Sequence, residues 1–179
     1  MLTEYLRDHA FTIAWFGLMT FVWLGWSQED PRRGLRPILG IGSAVGLALS
    51  VFFGIVTQRN WFAATALEGR YAWMGVLVGA EVLVALVGAL VLARRKQGRW
   101  MAWWVAAVVA LHFVPLGLLL EDPTVGALGV AQAIALGAVR PTLSRAEYRT
   151  SRLVGPLMGF SLLAYALVSA VVFVVSRGL

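Results

Sequence analysis

Residues 100–120 read WMAWWVAAVVALHFVPLGLLL, and this run contains no Asp, Glu, Lys or Arg. A helix rises 1.5 Å per residue, so about 20 apolar residues cross the ~30 Å hydrocarbon core of a bilayer. The run meets that length. In lipid a lone segment satisfies its backbone N–H and C=O groups only as a helix. The stretch therefore reads as a membrane-spanning helix, with one imidazole (His112) and one helix breaker (Pro115) set inside it.

Five further runs of the same kind flank it, giving expected spans at residues 10–27, 37–57, 72–93, 100–120, 123–139 and 153–175. Asp122 and Pro123 suit the N-cap and first position of the fifth helix. The composition agrees: 60% of the 179 residues are hydrophobic and 13% charged, with a mean hydropathy of +0.79. Soluble domains carry about 25% charged residues. The expected fold is all-α: one transmembrane domain over residues 1–179, a six-helix bundle whose partner is the lipid bilayer. The opening MLTEYLRDHA lacks a basic n-region, so the first apolar run reads as a retained span.

The net charge of +6 invites a nucleic-acid reading, which the placement of the charges argues against. Loops one, three and five hold eleven basic residues: Arg32, Arg33, Arg36, Arg94, Arg95, Lys96, Arg99, Arg140, Arg145, Arg149 and Arg152. The opposite side holds four, Arg7, Arg59, Arg70 and Arg177. By the positive-inside rule those three loops face the cytoplasm and both termini lie outside, as expected for a bacterial inner membrane. The outer side collects the acids Glu4, Asp8, Glu68, Glu121 and Asp122. In loop two, Trp61, Phe62 and Leu67 are placed to dip inward, and Thr65 and Glu68 have capping-box spacing. The triplet Glu-Asp-Pro recurs at 29–31 and 121–123, which hints at a three-plus-three inverted repeat.

Small residues recur at fourth positions: Gly42, Gly46, Ser50 and Gly54; Gly75 and Gly79; Gly129, Ala133 and Gly137; Gly155 and Gly159. Such faces let helix backbones approach closely, within the chain or across a homodimer. Most of the eight tryptophans fall near span ends, as interfacial anchors do; Trp15 lies deeper.

Counting residues from span ends puts Glu81, His112, Gln132 and Tyr165 at one level, about 12–15 Å below the outer surface. Thr20 and Ser50 fall near the same height. Ionisable groups in a membrane are costly and seldom face lipid, so Glu81 is expected to be neutral or paired, with His112 as its counter-charge. Arg70 lies on the same helical face as Glu81, nearer the surface. Pro115 leaves the carbonyl of Leu111 without its helical donor.

Several chemistries lack their residues. The absence of cysteine excludes disulfides and thiolate ligands. Two histidines and one deep glutamate do not complete a zinc site. His9 and His112 differ too far in depth to share a haem, and Ser43 is too far from His112 for a hydrolytic pair. No metal or cofactor is expected, and no catalytic constellation stands out.

Three readings follow. The first is a small-solute binding or transport protein with an outward-open polar pocket. Glu81, His112, Gln132 and Tyr165 would bind ligand or couple protons, and Arg70, Ser50, Thr20, Pro115 and Trp15 would line the pocket or its entry. The second is a non-catalytic interaction or assembly protein in which the polar level is a structural staple. The third is a membrane enzyme acting on a lipid-soluble substrate. In size, six spans and expected pocket, the architecture is similar to the substrate-capturing membrane subunits of energy-coupling vitamin importers. No motif of that family is present, and no residue role is carried over from it.

Overall fold

A computed structural model describes residues 5–177. It contains six long helices: α1 Leu6–Ser27, α2 Arg36–Arg59, α3 Tyr71–Arg94, α4 Met101–Leu119, α5 Pro123–Arg145 and α6 Ser151–Arg177. A short 3₁₀ turn, Gly98–Trp100, leads into α4, and no strand occurs among the described residues. All six helices are long and apolar enough to cross a membrane. Glu4, one of the acids assigned to the outer side, lies outside the described residues.

Local sequence explains the junction between α4 and α5 best. Asp122 sits in extended backbone and accepts from the Thr124 N–H at 3.1 Å, capping α5 at Pro123. The α4 C-terminus closes with the Asp122 N–H on the Gly117 carbonyl at 2.8 Å, which puts Glu121 at φ +54°. That left-handed position usually takes glycine. The largest departure from the expected spans is α5, which runs through Pro141 to Arg145 instead of stopping at 139. The repeated Glu-Asp-Pro triplet does not mark a repeat of structure. Asp30 caps no helix, because α2 begins only at Arg36 with Leu35 before it. Thr65 and Glu68 form no capping box either. Loop two stays in turns, and Thr65 Oγ1 accepts from the Leu67 N–H at 3.1 Å.

The centre of the bundle is α1, which packs against α2 and α6. Glycines set these distances. A Cβ on Gly17 would lie 2.5 Å from the Gly46 carbonyl oxygen, and one on Gly46 would lie 2.7 Å from that of Gly17. Gly155 and Gly159 of α6 accommodate Trp23, Leu24 and Ser27 of α1 in the same way. A second close pair joins α4 to α5, where Gly117 meets Gly126 and Gly129 meets Ala110 and Phe113. The two groups meet at Phe16, whose ring centroid is 5.2 Å from those of both Phe113 and Tyr165.

Helix α3 differs from the rest. It buries none of its residues and rests chiefly on α4, through a stripe formed by Met74, Leu77, Glu81, Ala85, Gly88 and Leu92. Gly75 and Gly79 are on its open side, where a Cβ would meet nothing within 4 Å.

Each end of the bundle is tied by polar bonds. At one end Arg149 of loop five pairs with Glu29 and donates its N–H to Asp30, while Arg99 of loop three donates to the carbonyls of Leu143 and Ala146. At the other end Arg70 of loop two pairs with Glu121 at 2.8 Å.

The glycine contacts are selective along a single helix. Gly46→Leu should lower the thermal midpoint in detergent, because neither the Gly17 backbone nor Thr20 can yield; overpacking of this kind costs about 1–3 kcal/mol. Gly54→Leu, two turns along α2 where a Cβ meets nothing within 4 Å, should leave the midpoint within error. Equal melting of both variants would remove the close-approach explanation.

Candidate functional site

Glu81 occupies the one stripe of α3 that faces α4, and His112 is buried on α4 opposite it. Their nearest atoms, Glu81 Oε2 and His112 Nδ1, are 3.4 Å apart, with side-chain exposures of 20% and 7%. The orientation does not make a hydrogen bond, so the contact is an electrostatic one between an acid and an imidazole. Toward the loop-three end, Trp104 continues the same seam. Its Nε1 donates to the Val84 carbonyl at 3.2 Å, and its ring lies against Gly88, where any side chain would collide with it. An apolar groove of about 520 Å³ runs along this seam, lined by Leu83, Val84, Val87, Gly88, Val91, Leu92 and Trp104.

The other residues of the expected polar level take different partners. Gln132 of α5 donates through Nε2 to Ser161 Oγ of α6 at 2.8 Å, and its Oε1 is buried without a hydrogen-bond partner. Tyr165 of α6 shares a hydrogen bond with Thr124 Oγ1 at 2.7 Å and lies 3.4 Å from Asp122 Oδ2, at the capped start of α5. Thr20 is fully buried; its hydroxyl donates to the Phe16 carbonyl at 2.8 Å and approaches the Gly159 carbonyl at 3.4 Å. The Ser50 backbone lies against Gly17. The polar level thus resolves into separate contacts on three helix seams: an acid–imidazole approach between α3 and α4, and hydrogen bonds between α5 and α6 and between α1 and α6.

The residues expected to line an entry lie apart from one another. Arg70 pairs with Glu121, both 45% exposed, at the end of the bundle. Trp15 stands on the outer surface of α1, stacked on Phe11 at 6.1 Å. Pro115 sits within α4, which continues through it. Neither the α3–α4 groove nor a second cavity beside loop one is lined by Glu81 or His112. Among the described residues no three His, Asp or Glu side chains are grouped as metal ligands are.

A polar cluster that span counting overlooked lies at the head of α1, in the consecutive residues Arg7, Asp8 and His9. The buried Asp8 carboxylate accepts from Thr65 Oγ1 at 2.9 Å and from the Ala66 N–H at 2.7 Å, fastening loop two across the end of the bundle. Arg7 donates to the Trp61 carbonyl at 3.0 Å and to Tyr71 Oη at 2.5 Å. His9 Nε2 lies 3.0 Å from Ser169 Oγ, which binds α1 to α6. Three ionisable residues in succession at the mouth of an apolar run were the available signal.

No protein-family model, curated protein or solved structure matches this chain.

Asp8→Ala should free loop two. It leaves the Ala66 N–H and the Thr65 hydroxyl without their acceptor, and an unsatisfied buried donor costs about 1–3 kcal/mol. Limited proteolysis of the purified protein should then cut between residues 60 and 70 faster than in the parent. Unchanged cleavage there would mean that Asp8 does not hold the loop.

Proposed function

We propose that this protein is a non-catalytic membrane interaction or assembly protein, with its intramembrane polar residues serving as helix staples and α3 as the helix offered to a partner. The observation that carries this reading is where the polar side chains go. Glu81 meets His112, Gln132 meets Ser161, and Tyr165 meets Thr124, each across a boundary between helices. Polar side chains that bond across helices in lipid are worth about 0.6 kcal/mol each on average and serve as glue. A helix with no fully buried residue, and with Gly75 and Gly79 uncovered, has a packing face still to use. The arginine count supports an orientation with loops one, three and five in the cytoplasm and both termini outside, and a bacterial inner membrane suits that topology.

A second reading, small-solute binding or transport, has one observation in its favour. His112 Nδ1 and Gln132 Oε1 are both buried without a hydrogen-bond partner. Buried polar atoms are nearly always bonded, to protein or to water, and a ligand group would serve equally well.

A double-mutant cycle separates the two. If Glu81 and His112 are a staple, Glu81→Gln and His112→Phe should each lower the thermal midpoint in detergent. The pair should show a coupling of about 0.6–1.7 kcal/mol, the span found for side-chain bonds between membrane helices. Under the solute reading both single variants stay as stable as the parent while losing a small molecule that co-purifies with it. A specific ligand retained by the parent and lost from both variants would reverse the order of the two readings.

A further inference from the structure

Loop one joins α1 to α2 through residues 28–35, with Gly34 at φ +82° and Pro37 in the first turn of α2. A cavity of about 520 Å³ is lined by Glu29, Asp30, Arg32, Arg33 and Arg36 together with Pro31, Gly34 and Pro37. The two acids of this set are already engaged. Glu29 pairs with Arg149 and accepts from Ser151 Oγ at 3.1 Å; Asp30 accepts from the Arg149 N–H at 3.1 Å and lies 3.9 Å from Arg152. Arg149 of loop five and Arg152 at the start of α6 therefore balance the two carboxylates, and the charges of Arg32, Arg33 and Arg36 are left uncompensated. All three are exposed, and no described residue pairs with their guanidinium groups.

The start of α2 adds to the field. Its first turn carries no acidic residue, and its N-cap makes no side-chain hydrogen bond, unlike α5 with its capping Asp122. Just beyond, Ile38 and Ile41 are exposed at 51% and 65%, so the arginines stand where the apolar surface of α2 begins. Loop three offers a contrast. Arg94, Arg95 and Lys96 are also exposed, but they line neither this cavity nor the α3–α4 groove.

We propose that the loop-one end of α2 binds the phosphate of an anionic phospholipid headgroup, held by Arg32, Arg33 and Arg36, with its acyl chains along Ile38 and Ile41. Arginine forks bind phosphate oxygens in pairs, and basic pockets at the ends of membrane helices take anionic headgroups. A lipid, not a free phosphate, is the occupant because the same site continues into apolar surface. The inference rests on the helices spanning a membrane and not on any role of Glu81 or His112.

Native mass spectrometry of the full chain in a neutral detergent tests it, with dioleoyl-phosphatidylglycerol, dioleoyl-phosphatidylcholine or inorganic phosphate added. One phosphatidylglycerol should bind per chain in preference to phosphatidylcholine, and millimolar phosphate should displace little of it. The triple variant R32Q/R33Q/R36Q should bind phosphatidylglycerol about a hundredfold more weakly, since each basic residue near a membrane surface contributes about fivefold. The loop-three variant R94Q/R95Q/K96Q, with the same loss of charge, should bind as the parent does. Equal loss in both triples would reduce the effect to net charge, and equal binding of phosphatidylcholine would remove headgroup recognition; either overturns the proposal. Full displacement by inorganic phosphate would make this an anion site and overturn the lipid assignment. Should the loop-one triple fail to fold, the single variants Arg32→Gln and Arg33→Gln take its place. Each is expected to weaken binding about fivefold, and no change in either overturns the site.

Discussion

In a bilayer no hydrophobic force draws one apolar helix to another, because lipid tails are as apolar as leucine. What remains is contact, and dispersion rewards contact only when surfaces come within a fraction of an ångström of their optimum. The approach of Gly17 to Gly46, backbone against backbone, is the constraint on which the rest of this bundle depends. It brings α2 against α1 closely enough for Thr20 to stay buried beside α6, and α1 then offers Leu24 and Trp23 to Gly159 and Gly155. The contact of the Phe16 ring, itself packed on Tyr165 of α6, with Phe113 links this group to α4.

Much of this was legible in the sequence. Apolar run length locates six helices, and fourth-position glycines on α2, α5 and α6 locate three of the faces that meet. Pattern alone could not separate used faces from unused ones. Gly75 and Gly79 repeat with the same spacing as Gly42 and Gly46, yet the first pair meets nothing and the second meets α1 and α6. A helix carries no mark of which side its neighbour will take; that depends on the order of the helices around the bundle. The same limit explains the polar level. Depth along a helix follows from counting, and the pairing of Glu81 with His112 agrees with it. Azimuth does not follow from counting, so Gln132 and Tyr165, assigned to the same pocket, turn instead to Ser161 and to Thr124.

The ends of the bundle were less legible still. Span finding treats the first polar residues before an apolar run as solvent-facing, and Asp8 and His9 are buried. Both lie in the first turn of α1, where loop two and α6 fold over them and supply donors and acceptors. Glu29 and Asp30 carry the same lesson at the other end. Their sequence resembles the helix start at Asp122, but loop five claims them before a helix can.

These bonds divide the molecule into parts of unequal hold. The group α1, α2 and α6 is joined by glycine contacts that a Cβ would break, and α4 and α5 are joined the same way. Helix α3 has no such backbone contact with its neighbour; a tryptophan ring over Gly88 and one acid–imidazole pair hold it at the seam. A buried polar contact adds little net stability, because desolvation offsets most of its attraction, yet removing one partner leaves the other unsatisfied at a cost of about 1–3 kcal/mol. The pair therefore fixes where α3 docks and in which register, without holding it strongly. Tight binding would have closed the α3 face against its own bundle. On the proposed reading, a helix held in register but weakly is one that a partner engages along its free side, and in this bundle the free side is the one that carries Gly75 and Gly79.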